Sequence, residues 1–350
     1  MSDTENPAFV EEPLDYASLR RGKRIDLAQA VPLPAPLAVY VEPTNICNFR
    51  CDFCPESFME YEDIAGGLFK LAPDDFERIA SQIIAIGGVQ TLNFYMMGEP
   101  FANRNLFDYI RIAKERSLGR KLILTSNGSL LKKDHYTRLC QSGLDYLRIS
   151  IYGPNEDAHR KNTGSTVKLA RIRENVAGLK AFRDEHGYAT PHIYVKMIES
   201  DRTEENTEFL GTFQNVGDEV GLEPVMNWND PDQGNLSGID SDRLQDQGYF
   251  ANKKTVCPFP FYTLVIHSDL KVSACCVDWD KKIIIGDLRT QTLREIWRGE
   301  ALHALQLAHL EGRRRSLPGC NNCTYLYTAP DNLDALSASD FLERAMKANT

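Results

Sequence analysis

The chain is poor in the features that would take it out of the cell or onto a polyanion. Residues 1–19, MSDTENPAFVEEPLDYASL, are acidic and offer neither a basic leader nor an apolar core, so they do not read as an export signal. No apolar run is long enough to span a bilayer, and the longest, residues 27–41, is interrupted by Pro32, Pro34 and Pro36. Positive charge is short too: 40 Lys and Arg against 49 Asp and Glu leave a formal net charge of −9. Binding nucleic acid needs a basic footprint that releases counterions, and this balance argues against it. The run Arg313-Arg314-Arg315 stands beside acidic neighbours and is expected to be a solvated loop. A cytoplasmic protein is expected, with neither membrane nor nucleic acid among its partners.

The nine cysteines do not suggest disulfides, because thiols in a reducing compartment serve more often as metal ligands. Cys140 stands alone on the apolar face of a predicted helix, where a free cysteine behaves as a small buried hydrophobe. The others form two groups, Cys47, Cys51 and Cys54, then Cys257, Cys275, Cys276, Cys320 and Cys323. The first group, spaced C-x3-C-x2-C, lacks a fourth donor. A structural zinc knot wants four; three would make it a fragment completed by a distant residue. Three thiolates on one tight loop can instead hold three irons of a [4Fe-4S] cube and leave the fourth open to a non-protein ligand.

Residues 37–230 alternate strand-like and helix-like patterns. Strands are expected near 37–43, 91–96, 120–125, 146–151, 192–198 and 222–228, with helices near 74–86, 104–116, 132–142, 167–186 and 203–220. Strands joined by helical crossovers run parallel, which predicts an α/β fold; the pattern leaves open whether its sheet is a barrel or doubly wound. In either case the loops at the carboxyl ends of the strands form the site. The cysteine loop follows the first strand, Met97-Gly98-Glu99-Pro100 the second and Ser126-Asn127-Gly128 the third, while Ser150 ends the fourth. Lys196, Glu199, Asn227 and Trp228 stand at the fifth and sixth strand ends, where they can position a polar substrate or move a proton. The plainer alternative makes Lys196 and Glu199 paired or solvated and Trp228 core.

Residues 1–36 read as an extension ending in a proline-rich spacer, and residues 231–256 as a polar linker. Cys257 then opens a compact region in which two β-rich runs flank His267-Ser268-Asp269, a hairpin that would bring Cys257 near Cys275. A helix beginning at Leu293-Arg294-Glu295-Ile296-Trp297 precedes the pair Cys320-Asn321-Asn322-Cys323. Four converging thiols suit either zinc or a fully ligated iron-sulfur cluster.

The first cysteine loop, with Phe53 before the third cysteine, resembles the signature of the radical S-adenosylmethionine (SAM) superfamily. That resemblance implies a partial (β/α)6 TIM-like barrel with a [4Fe-4S] cluster on Cys47, Cys51 and Cys54, whose open iron is chelated by SAM. It implies cofactor contacts at Phe53, Met97, Gly98, Glu99, Ser126, Asn127 and Ser150, with Met97 replacing the first glycine of the family's GGEP segment. Residues 257–326 resemble the SPASM and twitch extensions, small α+β domains carrying auxiliary clusters, and residues 327–350 follow as a tail. The spacing looks especially like the single-cluster twitch arrangement of 2-deoxy-scyllo-inosamine dehydrogenase, which implies Cys257, Cys275, Cys320 and Cys323 as ligands of a second [4Fe-4S] cluster. Leu270 replaces the usual hairpin glycine, so the turn is expected to differ locally. An external flavodoxin or ferredoxin would be the reductant.

The resemblance implies an oxidoreductase that forms a 5′-deoxyadenosyl radical, takes hydrogen from a substrate and passes an electron to the second cluster. Only about 36 residues precede the first strand, too few for a leader-peptide recognition domain. A small molecule, a sugar or aminocyclitol alcohol, is therefore expected as substrate. The alternatives are a peptide maturase, or an epimerase with Cys276 as hydrogen donor. A non-catalytic iron-sulfur carrier would need no SAM constellation.

Overall fold

A computed structural model describes residues 25–57, 60–223, 254–321 and 323–348. Its nine described strands, β1 (Ala38–Val41), β2 (Val89–Phe94), β3 (Gly119–Ser126), β4 (Tyr146–Ile151), β5 (His192–Ile198), β6 (Glu219–Glu223), β7 (Thr263–Ile266), β8 (Lys271–Ser273) and β9 (Ile284–Asp287), form one sheet. The described helices are α1 (Leu27–Ala30), α2 (Tyr61–Ala65), α3 (Pro73–Ala85), α4 (Leu106–Glu115), α5 (Tyr136–Gln141), α6 (Glu156–Thr163), α7 (Leu169–Glu185), α8 (Thr203–Phe213), α9 (Leu293–Trp297), α10 (Glu300–Leu310) and α11 (Ala338–Ala348).

The strand order β6-β5-β4-β3-β2-β1-β7-β8-β9 resolves the choice that periodicity left open. A doubly wound sheet reverses its order at a switch point. Here β1 to β6 follow one another in parallel, always in the same direction, which is the wall of a partial barrel. On the other edge of β1, β7 pairs in parallel, and β8 and β9 continue antiparallel, so the four-thiol region extends the same sheet.

Side chains alternate across a strand, and the two faces of the barrel wall differ in kind. Leu122, Leu124, Leu147, Ile149, Ile193 and Val195 pack outward against Phe76, Ile79, Ile110, Leu139 and Leu179 of the helices. Ile123, Tyr146 and Tyr194 face the other way and form a separate small cluster with Tyr95. By the same alternation Arg148, Ser150 and Lys196 lie on that concave face.

Two expected boundaries move. The helix expected over 203–220 ends at Phe213, because Gly217 lies so close to β5 that a Cβ there would meet the Ile193 carbonyl at 2.6 Å. β6 accordingly begins at Glu219, and residues 224–228 of the expected strand, with Asn227 and Trp228, lie outside the described residues. The helix α6 had no counterpart in the sequence reading. Near the two ends of the described chain, Leu27, Val31, Val256, Phe261, Leu333, Leu336 and Phe341 form a second core that ties α1 to α11. Among the described residues no helix is long and apolar enough to cross a membrane.

Candidate active site

The cysteine loop leaves the end of β1 and is pinned on two sides. Asn45 donates from Nδ2 to the Gly67 carbonyl at 2.9 Å and accepts the Phe69 N–H at 2.6 Å, while Thr44 Oγ1 donates to the Phe69 carbonyl at 2.7 Å. From the far side α6 receives it: the N–H groups of Arg50 and Asp52 donate to the carbonyls of Thr163 and Asn162 at 2.9 and 3.1 Å. Asn155 caps the start of α6 and Gly164, at φ 60°, ends it. Phe49 is buried between Tyr152 and His159, and Phe53 lies 5.3 Å from the Tyr152 ring.

Cys47, Cys51 and Cys54 thus share one rigid, largely dry loop. Burial pushes all three thiols up, Cys47 to about 12, with the Glu56 carboxylate adding to the effect. The fit to iron-sulfur chemistry rests on the donors themselves, three soft sulfurs on one loop.

Around this loop the strand-end residues form one hydrogen-bonded cradle. Gly98 has φ 75°, and a Cβ there would meet the Thr44 carbonyl at 2.2 Å. Its N–H donates to Glu56, and the Glu99 N–H donates to the Ile46 carbonyl at 3.0 Å. Glu99 is buried, its carboxylate accepting from Ser126 Oγ and Asn127 N at 2.7 Å and from Phe101 N at 3.1 Å. Burial nevertheless pushes its carboxyl up to about 7. The side chain of Glu99 therefore knits the second strand end to the third, which leaves backbone carbonyls as the acceptors this segment offers a ligand. Asn127 Nδ2 lies 3.2 Å from Asn48 Oδ1 and 3.7 Å from Cys47 Sγ. Met97 is buried with Tyr61, Ala65 and Trp279, and Ser150 bonds the Tyr152 hydroxyl.

The concave face holds an ion lattice. The Glu223 carboxylate bridges Arg148 Nη2 at 2.7 Å and Lys196 Nζ at 2.9 Å. Arg148 Nη1 also lies 3.4 Å from the Tyr95 hydroxyl, and the Tyr95 ring meets Tyr40 edge-on at 5.3 Å. Glu199 is half-buried, and its N–H donates to the Glu223 carbonyl at 2.9 Å.

In the second region Cys257, Cys275, Cys320 and Cys323 line one cavity, together with Asp278, His309 and Arg314. Cys276 is not part of that lining, and its neighbours Cys275, Tyr325 and Tyr40 hold its thiol below the usual range. Cys275 and Cys320 are buried and Cys257 and Cys323 half-buried, and four thiols on one cavity suit a thiolate-held group. Arg314 corrects one expectation. It is buried rather than solvated, because its guanidinium donates to the carbonyls of Cys320 and Cys323 and braces the C-x2-C turn. Leu270 keeps the backbone of the glycine it replaces, with φ 65°.

A buried polar chain joins the two regions. Glu42, at the end of β1, accepts from Ser268 Oγ at 2.7 Å and lies 3.4 Å from His267 Nδ1; His267 Nε2 reaches Ser273 Oγ at 2.8 Å, and that hydroxyl donates to Asp278 at 2.6 Å. Sequence reasoning missed Glu42, Glu56, Tyr152 and this chain, since each is a single residue with no spacing to mark it.

A fold wound this way, with a three-thiol loop at its first strand end and a four-thiol cavity beyond, defines a radical SAM enzyme with an auxiliary cluster domain. The family model of the Radical SAM superfamily matches residues 41–210 and that of the SPASM iron-sulfur cluster-binding domain matches residues 257–324, so a radical SAM domain and a SPASM domain are both present in the chain. SAM, the radical SAM [4Fe-4S] cluster and further iron-sulfur at the SPASM domain are its implied cofactors. PqqA peptide cyclase of Rhodopseudomonas palustris is 30% identical over 118 residues, 34% of this chain and 29% of that protein. The tungsten-containing aldehyde ferredoxin oxidoreductase cofactor-modifying protein of Pyrococcus furiosus is 28% identical over 163 residues, 46% of this chain and 43% of that one. The chain thus matches less than half the length of these curated relatives. Among solved structures, BtrN in complex with AdoMet and 2-DOIA superimposes with TM-score 0.54 at 16% identity, covering 82% of this chain and 92% of BtrN. Streptococcus suis SuiB bound to precursor peptide SuiA gives 0.61 at 15%, covering 94% and 79%. At these identities the likeness is one of fold.

Proposed function

We propose that this radical SAM enzyme is a dehydrogenase-type oxidoreductase, taking a hydrogen atom from a small polar substrate, a sugar or aminocyclitol alcohol, and yielding a ketone. Cys47, Cys51 and Cys54 would hold the SAM-binding cluster, and Cys257, Cys275, Cys320 and Cys323 an auxiliary [4Fe-4S] cluster. When bound, these groups supply a 5′-deoxyadenosyl radical and an electron acceptor. Gly98, Ser126, Asn127, Ser150, Phe53 and the backbone around Met97 and Glu99 would cradle SAM. The cytoplasm, and a flavodoxin or ferredoxin as reductant, fit the reading.

The observation that carries the substrate class is the lattice on the concave face. Arg148, Glu223 and Lys196 side chains are only 13 to 15% exposed, so polar contacts made there are strong. Two cations and a carboxylate offer donors and an acceptor to a polyol. Lys196, an ammonium held 2.9 Å from Glu223, would donate to the substrate hydroxyl and position it, and Glu199 is the candidate base that would receive the proton.

Peptide-acting neighbours favour a second reading, a peptide maturase or epimerase with Cys276 as hydrogen donor. Turnover of the true substrate in deuterated water separates the two. A ketone formed equally well by Cys276→Ala is the expected result. Solvent deuterium at the reacting carbon, lost in that variant, would overturn the oxidation.

A further inference from the structure

Among the residues lining the four-thiol cavity, His309 carries a polar atom that no described residue satisfies. His309, near the end of α10, is fully buried, and its Nδ1 accepts the Cys257 N–H at 3.3 Å. A nitrogen that accepts carries no proton, so the neutral ring bears its proton on Nε2. Among the described residues that Nε2 has no hydrogen-bond partner. Leaving a buried donor unpaired costs about 1–3 kcal/mol, and native proteins rarely do so. An orphaned donor on a cavity wall therefore marks something that binds in the cavity. Cys257, Cys275, Cys320 and Cys323 line the same cavity, and a cluster held on them would offer sulfur as an acceptor.

We propose that His309 donates an Nε2–H···S hydrogen bond to the auxiliary iron-sulfur cluster and so raises its reduction potential, making it a better electron acceptor. The proposal rests on the iron-sulfur assignment of the second site. A donor aimed at cluster sulfur stabilises the reduced form more than the oxidised one, because reduction adds negative charge to the sulfurs; hydrogen bonds of this kind are a main control of cluster potential. The Cys257 N–H fixes the tautomer, so His309 is a positioning residue that acts through the cluster.

Redox titration of the reconstituted holoenzyme, followed by EPR of the auxiliary cluster, tests this. In His309→Phe the reduced-to-oxidised ratio at a fixed potential should fall about tenfold, equivalent to ~59 mV for a one-electron couple. His309→Gln, whose amide keeps both an acceptor and a donor, should stay near the wild type. An unchanged potential in His309→Phe overturns the proposal. Should that variant lose the cluster, wild-type protein labelled with nitrogen-15 histidine decides by pulsed EPR. A weak coupling of one imidazole nitrogen to the reduced auxiliary cluster supports the proposal; no coupling, or the strong coupling of an iron-bound nitrogen, overturns it. Iron near four per chain with one zinc in the wild type would sink it differently, by removing the cluster on which it rests.

Discussion

Gly98 shows how tightly single residues constrain this site. Its φ of 75° is a conformation that costs an L-residue about 1–2 kcal/mol, and the Thr44 carbonyl occupies the place a side chain would take. Gly98→Ala must therefore push the second strand end away from the cysteine loop. We expect it to lower stability by at least ~2 kcal/mol and weaken SAM binding by at least ~tenfold, measured by thermal melts and calorimetric titration of the iron-loaded protein. Gly211→Ala is the control. It sits in α8 with open space around it and no unusual φ, and should stabilise by about 0.5–1 kcal/mol. The cysteines and Gly98 were legible because their spacing or their place after a strand marks them. Glu56 and Tyr152 were not: a carboxylate and a phenol become site residues only when the fold brings Gly98 and the thiols to them.

At the scale of elements, a charge network of Lys180, Arg183, Asp184 and Asp218 holds α7 against the β5–β6 edge. Arg183 is buried and donates to the Pro191 carbonyl and, through both terminal nitrogens, to Asp218, which also accepts the Ile193 N–H. Burial would raise the Asp218 carboxyl, but the Arg183 hydrogen bonds outweigh it and hold it below its usual range. A carboxyl lowered on folding stabilises the protein above the unfolded pKa, near 4, and that contribution is lost as pH falls through the lower folded value. Asp218→Asn removes one of the two carboxylates that hold the Arg183 guanidinium and leaves Asp184 as its remaining carboxylate partner, so it should cost about 1–3 kcal/mol. Because the titration lies below pH 4, the gap in stability between variant and wild type should stay constant from pH 8 to pH 5, measured by denaturant unfolding. A gap that narrows across that range would contradict the assignment. The strands and most helices were readable because a buried face imposes a period on the sequence. Helix α6 was not, since its EDAHRKNT buries only His159 and Thr163 and shows no apolar stripe.

On the scale of the whole molecule, the two cluster regions share one sheet and one polar seam. β7 pairs with β1 from over two hundred residues away, Tyr40 opposite Val265, and Glu42 reaches His267 and Ser268 across the same junction. No local pattern records such a pairing, so the sequence suggested a hairpin and a cysteine set but not that the barrel's first strand carries them. The chain ends close the arrangement from outside: Phe341 of α11 is buried against Phe261, 5.7 Å away edge-on, and stacks on His303 at 5.6 Å. Phe261 directly precedes the segment leading into β7, so α11 clamps the strand that joins the two regions. Phe341→Ala removes a buried ring from this second core and should cost about 3–5 kcal/mol. No cysteine is a member of that core, so iron content at low temperature should match the wild type while the iron is released at a lower temperature. Absorbance of the clusters followed through a thermal ramp measures both, and an unchanged release temperature would mean that α11 covers the junction without holding it.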